Sequence, residues 1–132
     1  MVKILDAFAL MVYLEKEPGY EKVKELFTKS AENGKNLQMS TVNWGEVYYI
    51  LIRDHGIEEA ERIQRIIETF PIDFVPVDLT LAREAARLKA FKKISYADCF
   101  AAALARQRKG EVVTGDREFK ALESEVKVVW IV

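Results

Sequence analysis

Ser95-Tyr96-Ala97-Asp98-Cys99-Phe100-Ala101-Ala102-Ala103-Leu104-Ala105 is the stretch that decides how this chain folds. It predicts a helix beginning at Ser95, with small or apolar residues on nearly every side, and a helix of that kind belongs in the interior. Its alanines let neighbouring backbones come close. Asp98 nevertheless stands in its first turn. A carboxylate at the mouth of a buried helix must cap, pair or hold a cation.

Working outward, Lys92-Lys93-Ile94 links this helix to a preceding one, capped by Asp78 and running to about Phe91. On the other side, Glu111 to Thr114 predicts a strand, Asp116 to Leu122 a short helix, and Lys127 to Ile131 a last strand. The first half alternates in the same way. Val2 to Leu5 is a strand ending at Asp6. Helical patterns over Ala7 to Glu17 and Tyr20 to Asn33 end at Pro18-Gly19 and at Gly34. Asn36 to Ser40 is a second strand. Thr41 to His55 and Ile57 to Thr69 are helical, with Ile63, Ile66 and Ile67 on one face, and Ile72 to Val77 is a third strand. Strands alternating with helices predict an α/β domain with a mainly parallel, twisted sheet of about five strands flanked by helices. In such sheets ligands bind outside the carboxyl ends of the strands.

The totals agree. At 132 residues, half hydrophobic and 31% charged, one domain spanning residues 1–132 with a real core is expected. No apolar run approaches the roughly 18 residues that would span a membrane, and Met1-Val2-Lys3-Ile4-Leu5-Asp6 does not resemble a secretory leader. The single cysteine, Cys99, cannot form an internal disulfide, so the cytoplasm is the expected compartment. A net charge of −1 gives no global pull toward nucleic acid. Such a role would need local basic patches or metal ions.

Four acids stand where a parallel sheet would gather them. Asp6 follows the first strand. Glu46 lies in the second turn of the helix after the second strand. Asp98 opens the helix before the fourth strand, and Asp116 follows that strand by two residues. Each can be explained without function. Asp6 and Asp116 can be N-caps, and Ser95-x-x-Asp98 and Asn43-x-x-Glu46 resemble capping boxes. Asp78, in the same kind of position, is read only as a cap. Taken together, the four ask for more. Glu46 shares a helix stripe with Val42 and Ile50, where a solvating glutamate does not belong. Asp98 is on an apolar helix. Like charges converging at one sheet edge repel unless a hard divalent cation sits among them. All-oxygen donors with no His or Cys favour Mg²⁺ or Mn²⁺ over Zn²⁺.

Four segments resemble the PIN-domain pattern, and most closely the VapC-type toxin ribonucleases of toxin–antitoxin pairs. They are Ile4-Leu5-Asp6-Ala7, Ser40-Thr41-Val42-Asn43-Trp44-Gly45-Glu46-Val47, the opening stretch, and Val112-Val113-Thr114-Gly115-Asp116-Arg117-Glu118-Phe119. Their order and spacing cover nearly the whole chain. The resemblance implies a three-layer PIN-like fold, with Asp6, Glu46, Asp98 and Asp116 as catalytic and metal-holding residues and Thr114 supporting them. It also implies Mg²⁺- or Mn²⁺-dependent cleavage of RNA, a homodimer and a cognate antitoxin protein. Where family members often carry Ser or Thr directly after the first aspartate, this chain has Ala7; Thr114 keeps the hydroxyl of its motif.

Among the basic residues, Lys92, Lys93 and Arg117 flank the acids and are the expected phosphate contacts; Arg106, Arg108 and Lys109 belong at the far end of their helix. His55 is the only histidine, so chemistry by a histidine pair is excluded. Cys99 is read as a core residue, and Trp44, Tyr48 and Tyr49 as packing or interface residues. An aspartyl phosphatase is disfavoured because Asp6-Ala7-Phe8 lacks a second acid two residues on, and a nucleotide-binding fold because no glycine-rich loop follows Leu5. A non-catalytic protein-binding or regulatory domain of the same fold is the alternative.

Overall fold

The computed structural model describes all residues, 1–132. Five strands, β1 (Lys3–Leu5), β2 (Leu37–Ser40), β3 (Ile72–Val75), β4 (Glu111–Thr114) and β5 (Lys127–Trp130), form one sheet in the order β3-β2-β1-β4-β5. Every pairing is parallel. Parallel strands cannot be joined by hairpins, and the crossovers here carry the helices. They are α1 (Ala7–Glu15) and α2 (Tyr20–Asn33), then α3 (Thr41–His55) and α4 (Ile57–Ile67), then α5 (Leu79–Phe91) and α6 (Tyr96–Gln107). The last crossover is a single 3₁₀ helix, Arg117–Leu122, where the sequence predicts a helix of unspecified pitch.

Three layers result, because each strand offers alternate side chains to opposite faces. Ile4 and Val112 enter one core with Leu81, Leu88, Leu104, Phe119 and Leu122, beneath α5, α6 and the 3₁₀ helix. Leu5 and Val113 enter the other with Leu10, Val23, Met39, Leu51 and Ile67, beneath α1 to α4. With both faces covered, the central strands are apolar runs without alternation. Seven of the α6 residues from Cys99 to Ala105 are buried, as expected for the opening stretch. At its far end Gly110 is obligatory: a Cβ there would lie 2.4 Å from the Val2 carbonyl oxygen.

Side-chain caps sit at the strand-to-helix junctions. Asp6 caps α1, Ser40 caps α3, Asp78 caps α5 and Ser95 caps α6. Each accepts from a backbone N–H three residues on. Asp78 is the plain cap its sequence suggests. The Asn43-x-x-Glu46 reading needs correcting, since Ser40 does the capping and Asn43 lies inside the helix. No helix is long and apolar enough to cross a membrane.

Candidate active site

The strand order reverses its direction of growth at β1: β2 lies on one side of it and β4 on the other. At such a switch point the crossovers leave on opposite faces and open a crevice at the carboxyl edge. Leu5 is level with Val113, so the residues that follow, Asp6 and Thr114, leave the sheet side by side. Asp6 is fully buried. Its Oδ1 accepts from Ala9 N at 2.8 Å and its Oδ2 from the Thr114 hydroxyl. Thr114 Oγ1 in turn accepts from Asp116 N at 3.0 Å. Asp6, Thr114 and Asp116 are thus one hydrogen-bonded chain across two neighbouring strands.

Asp98 reaches the same edge because α6 starts there and runs back against the strands. It is 6% exposed. α6 is positioned against α3 by Asn43, whose Oδ1 accepts from the Ser40 hydroxyl at 2.7 Å and whose Nδ2 donates to Ala97 O at 3.0 Å. That tie fixes the helix carrying Glu46 relative to the helix carrying Asp98. Carboxylate oxygens of Asp98, Asp116 and Glu118 all lie within 4.8 Å of one another, a spacing that one cation can bridge.

These groups line one cleft of about 660 Å³, together with Glu46, Ser95, Phe8, Met11 and Ile50. Past the acids it continues to Glu15, Glu17, Asp54 and His55. Asp6 is not on its surface but directly behind it. Glu46 Oε1 is buried there without a hydrogen-bond partner. A buried oxygen left without a donor costs about 1–3 kcal/mol, so one aimed among other carboxylates marks a place for a cation.

The electrostatics carry the same signature. Burial pushes Asp6 up to about 8; its bonds from Thr114 and Ala9 oppose the rise, and the charges of Asp98 and Asp116 add to it. Burial lifts Asp98 to about 7, against the Ser95 hydroxyl and helped by Asp116, Glu46 and Glu118. Glu46 is raised by burial and by Asp116. Desolvation disfavours the ionised form and every acidic neighbour adds to that. Cys99 goes up to about 11, first through burial and then through Asp98, so its thiol is an inert core group.

Of the residues read from the sequence, Asp98 and Asp116 meet, Glu46 faces them across the cleft, and Asp6 and Thr114 stand behind. The three basic residues are placed elsewhere. Lys92 lies 4.0 Å from Glu125, which also takes Arg106 at 3.5 Å. Arg117 lies over the Trp130 ring at 5.8 Å. Neither these two nor Lys93 lines the cleft, whose walls hold no Lys or Arg. His55, in the last turn of α3, bonds Glu15 at 3.2 Å. Trp44 stacks on Tyr48 at 5.2 Å and donates to Gln64 of α4 at 2.8 Å, while Tyr49 points outward. Sequence reasoning passed over Glu118 and Asn43. Glu118 was hidden by helical periodicity, because i and i+2 do not face each other on a helix. They meet here because Asp116 is the cap, accepting from Glu118 N at 3.0 Å.

A scan against protein families matches the PIN domain over residues 3–125. The chain belongs to the PIN domain family. A sequence search of curated proteins returns no match. Solved structures share the PIN fold at low identity. A DNA-bound VapBC from Salmonella typhimurium is 17% identical with a TM-score of 0.81, over 100% of this chain and 99% of that one. FitAcB from Neisseria gonorrhoeae is 21% identical with a TM-score of 0.73, over 98% of both chains. The sarcin-ricin-loop-cleaving toxin VapC20 from Mycobacterium tuberculosis is 16% identical with a TM-score of 0.73, over 94% and 95%. At these identities the likeness is one of fold.

Proposed function

We propose that this PIN domain is a Mg²⁺- or Mn²⁺-dependent endoribonuclease, the toxin of a VapBC-type toxin–antitoxin pair, acting in the cytoplasm as a homodimer with residues 1–132 as one folding unit. The observation that supports this most is the orphaned, buried Glu46 oxygen facing Asp98 and Asp116 across a cleft at the switch point. Asp6, Glu46, Asp98 and Asp116 would hold the cation, and all-oxygen donors suit a hard one. When bound, such a cation supplies a more acidic water and offsets charge on the phosphate and the leaving oxygen.

The protein's own part is placement. Thr114 keeps Asp6 and Asp116 in fixed relation through its two hydrogen bonds, and Asn43 does the same for Glu46 and Asp98. Ser95, at the rim, leaves its hydroxyl beside the scissile region. RNA phosphates need positive charge, and the cleft walls supply none, so Lys92, Lys93 and Arg117 would act from outside it, on flanking phosphates. The apolar floor of Phe8, Met11 and Ile50, edged by Glu15, Glu17 and Asp54, suits an amphipathic, basic segment of an antitoxin. The test is cleavage of mixed RNAs with Mg²⁺, with Mn²⁺ and with EDTA. Cleavage that requires the metal supports the nuclease; none under any condition leaves the non-catalytic, protein-binding alternative.

A further inference from the structure

We propose that Glu118 is a further direct ligand of the cation, sharing it with Asp98 and Asp116; this rests on the cation-dependent reading above. Two independent observations lead there. The first is distance: one carboxylate oxygen from each of the three residues falls within 4.8 Å of the others. The second is the state of Asp98. It is more than nine-tenths buried, it lines the cleft, and among the hydrogen bonds of its residue only the backbone N–H, donated to Ser95, is engaged. A buried carboxylate facing a cleft without a bound donor calls for a positive partner there, and Glu46 Oε1 in the same cleft has the same need.

Glu118 is the one of the group whose side chain is exposed, while its backbone is held by the bond to Asp116 Oδ1. It can therefore swing to an ion without moving the fold. Mg²⁺ demands six near-octahedral oxygens and keeps several waters. An extra carboxylate on the solvent side would replace one of those waters and tighten binding. It would also place a negative charge at the cleft mouth, which an arriving phosphate must pass.

The experiment is a Mn²⁺ titration of the whole chain followed by electron paramagnetic resonance, on the wild type, Glu118→Ala, Glu118→Gln and, as a charge-matched control on exposed α2 surface, Glu32→Ala. Each is run at low salt and at about 0.5 M KCl, where charges acting through space are screened but a ligand bond is not. Glu118→Ala is expected to weaken Mn²⁺ about tenfold or more at both salt concentrations, at least the loss typical of outer-shell partners. Bound Mn²⁺ should also relax water protons faster, because solvent takes the vacated position. Glu118→Gln should lose affinity too, through its weaker neutral oxygen. Wild-type affinity in Glu118→Ala, or a loss that disappears in high salt, would overturn the assignment and leave the nuclease reading intact. Absence of Mn²⁺ binding by the wild type would instead remove the cation-dependent reading itself, and the ligand with it.

Discussion

At Asp98, stability and function pull in opposite directions. Burial and acidic neighbours hold its carboxyl near 7, so above that pH the metal-free protein carries a charge that the fold disfavours. Asp98→Asn removes the charge and keeps the shape. At about pH 8 it should stabilise the metal-free protein by roughly 1–3 kcal/mol, allowing for solvent screening of the shift. In the same protein, metal-dependent RNA cleavage should fall by about a hundredfold or more, since a ligand is lost. Thermal unfolding in EDTA and a cleavage assay read the two effects, and a variant that is less stable and fully active would refute the assignment. Thr114→Val tests the relay behind the site. It strands a buried Asp6 oxygen and the Asp116 N–H, which should cost about 1–3 kcal/mol and lower cleavage. Thr114→Ser, which keeps the hydroxyl, should recover most of both; a Val variant with unchanged melting temperature and activity would show that the relay is incidental. At this scale the sequence showed which acids were out of place, Glu46 among apolar neighbours and Asp98 on an apolar helix. It could not show that Asp6 is fully enclosed, or that Glu118 joins Asp98 and Asp116, because enclosure and convergence depend on other segments.

Among the elements, α6 was the most legible, since a helix apolar on all sides has nowhere to go but inside. Ala101, Ala102 and Ala103 are all completely buried against the sheet and α5. Ala103→Leu should therefore overpack the core and cost about 1–3 kcal/mol, visible in chemical denaturation as a lower midpoint with an unchanged slope. A neutral effect would mean that α6 can slide, and that the Asp98 position is not fixed by packing. Two elements were harder to read. The six residues Arg117–Leu122 form a 3₁₀ helix, and so short a segment carries too few turns for hydrophobic period to separate 3.0 from 3.6 residues per turn. The start of α3 offered two caps, Ser40 and Asn43. Ser40 took the cap, and this freed Asn43 to bind Ala97 and tie α3 to α6.

For the molecule as a whole, the clustered acids give stability a definite pH dependence. Asp6 and Asp98 have an ordinary value of 3.8 in the unfolded chain and about 8 and about 7 in the fold. The folded state thus holds protons that the unfolded state has released. The stability these two groups contribute is present in full below about pH 4 and is lost as pH rises through 7 and 8. In EDTA the melting temperature should fall between about pH 5 and pH 8.5, by roughly 4 °C for each kcal/mol lost. Saturating Mg²⁺ should restore it at the upper pH and do little at the lower, where protons compete for the same oxygens. A melting temperature that is flat or rising over that range in EDTA would contradict the burial of these carboxylates. The sequence by itself determined the α/β alternation, the buried α6 and the set of acids at strand ends, because hydrophobic period, turn residues and caps act over a few neighbouring positions. It did not determine the strand order β3-β2-β1-β4-β5 or that the cleft walls would lack Lys and Arg. Nor did it reveal that Lys92 and Arg117 turn to Glu125 and Trp130. Only the tertiary structure decided these, because each depends on which distant segments share a surface, and side chains settle on the partners that packing brings within reach.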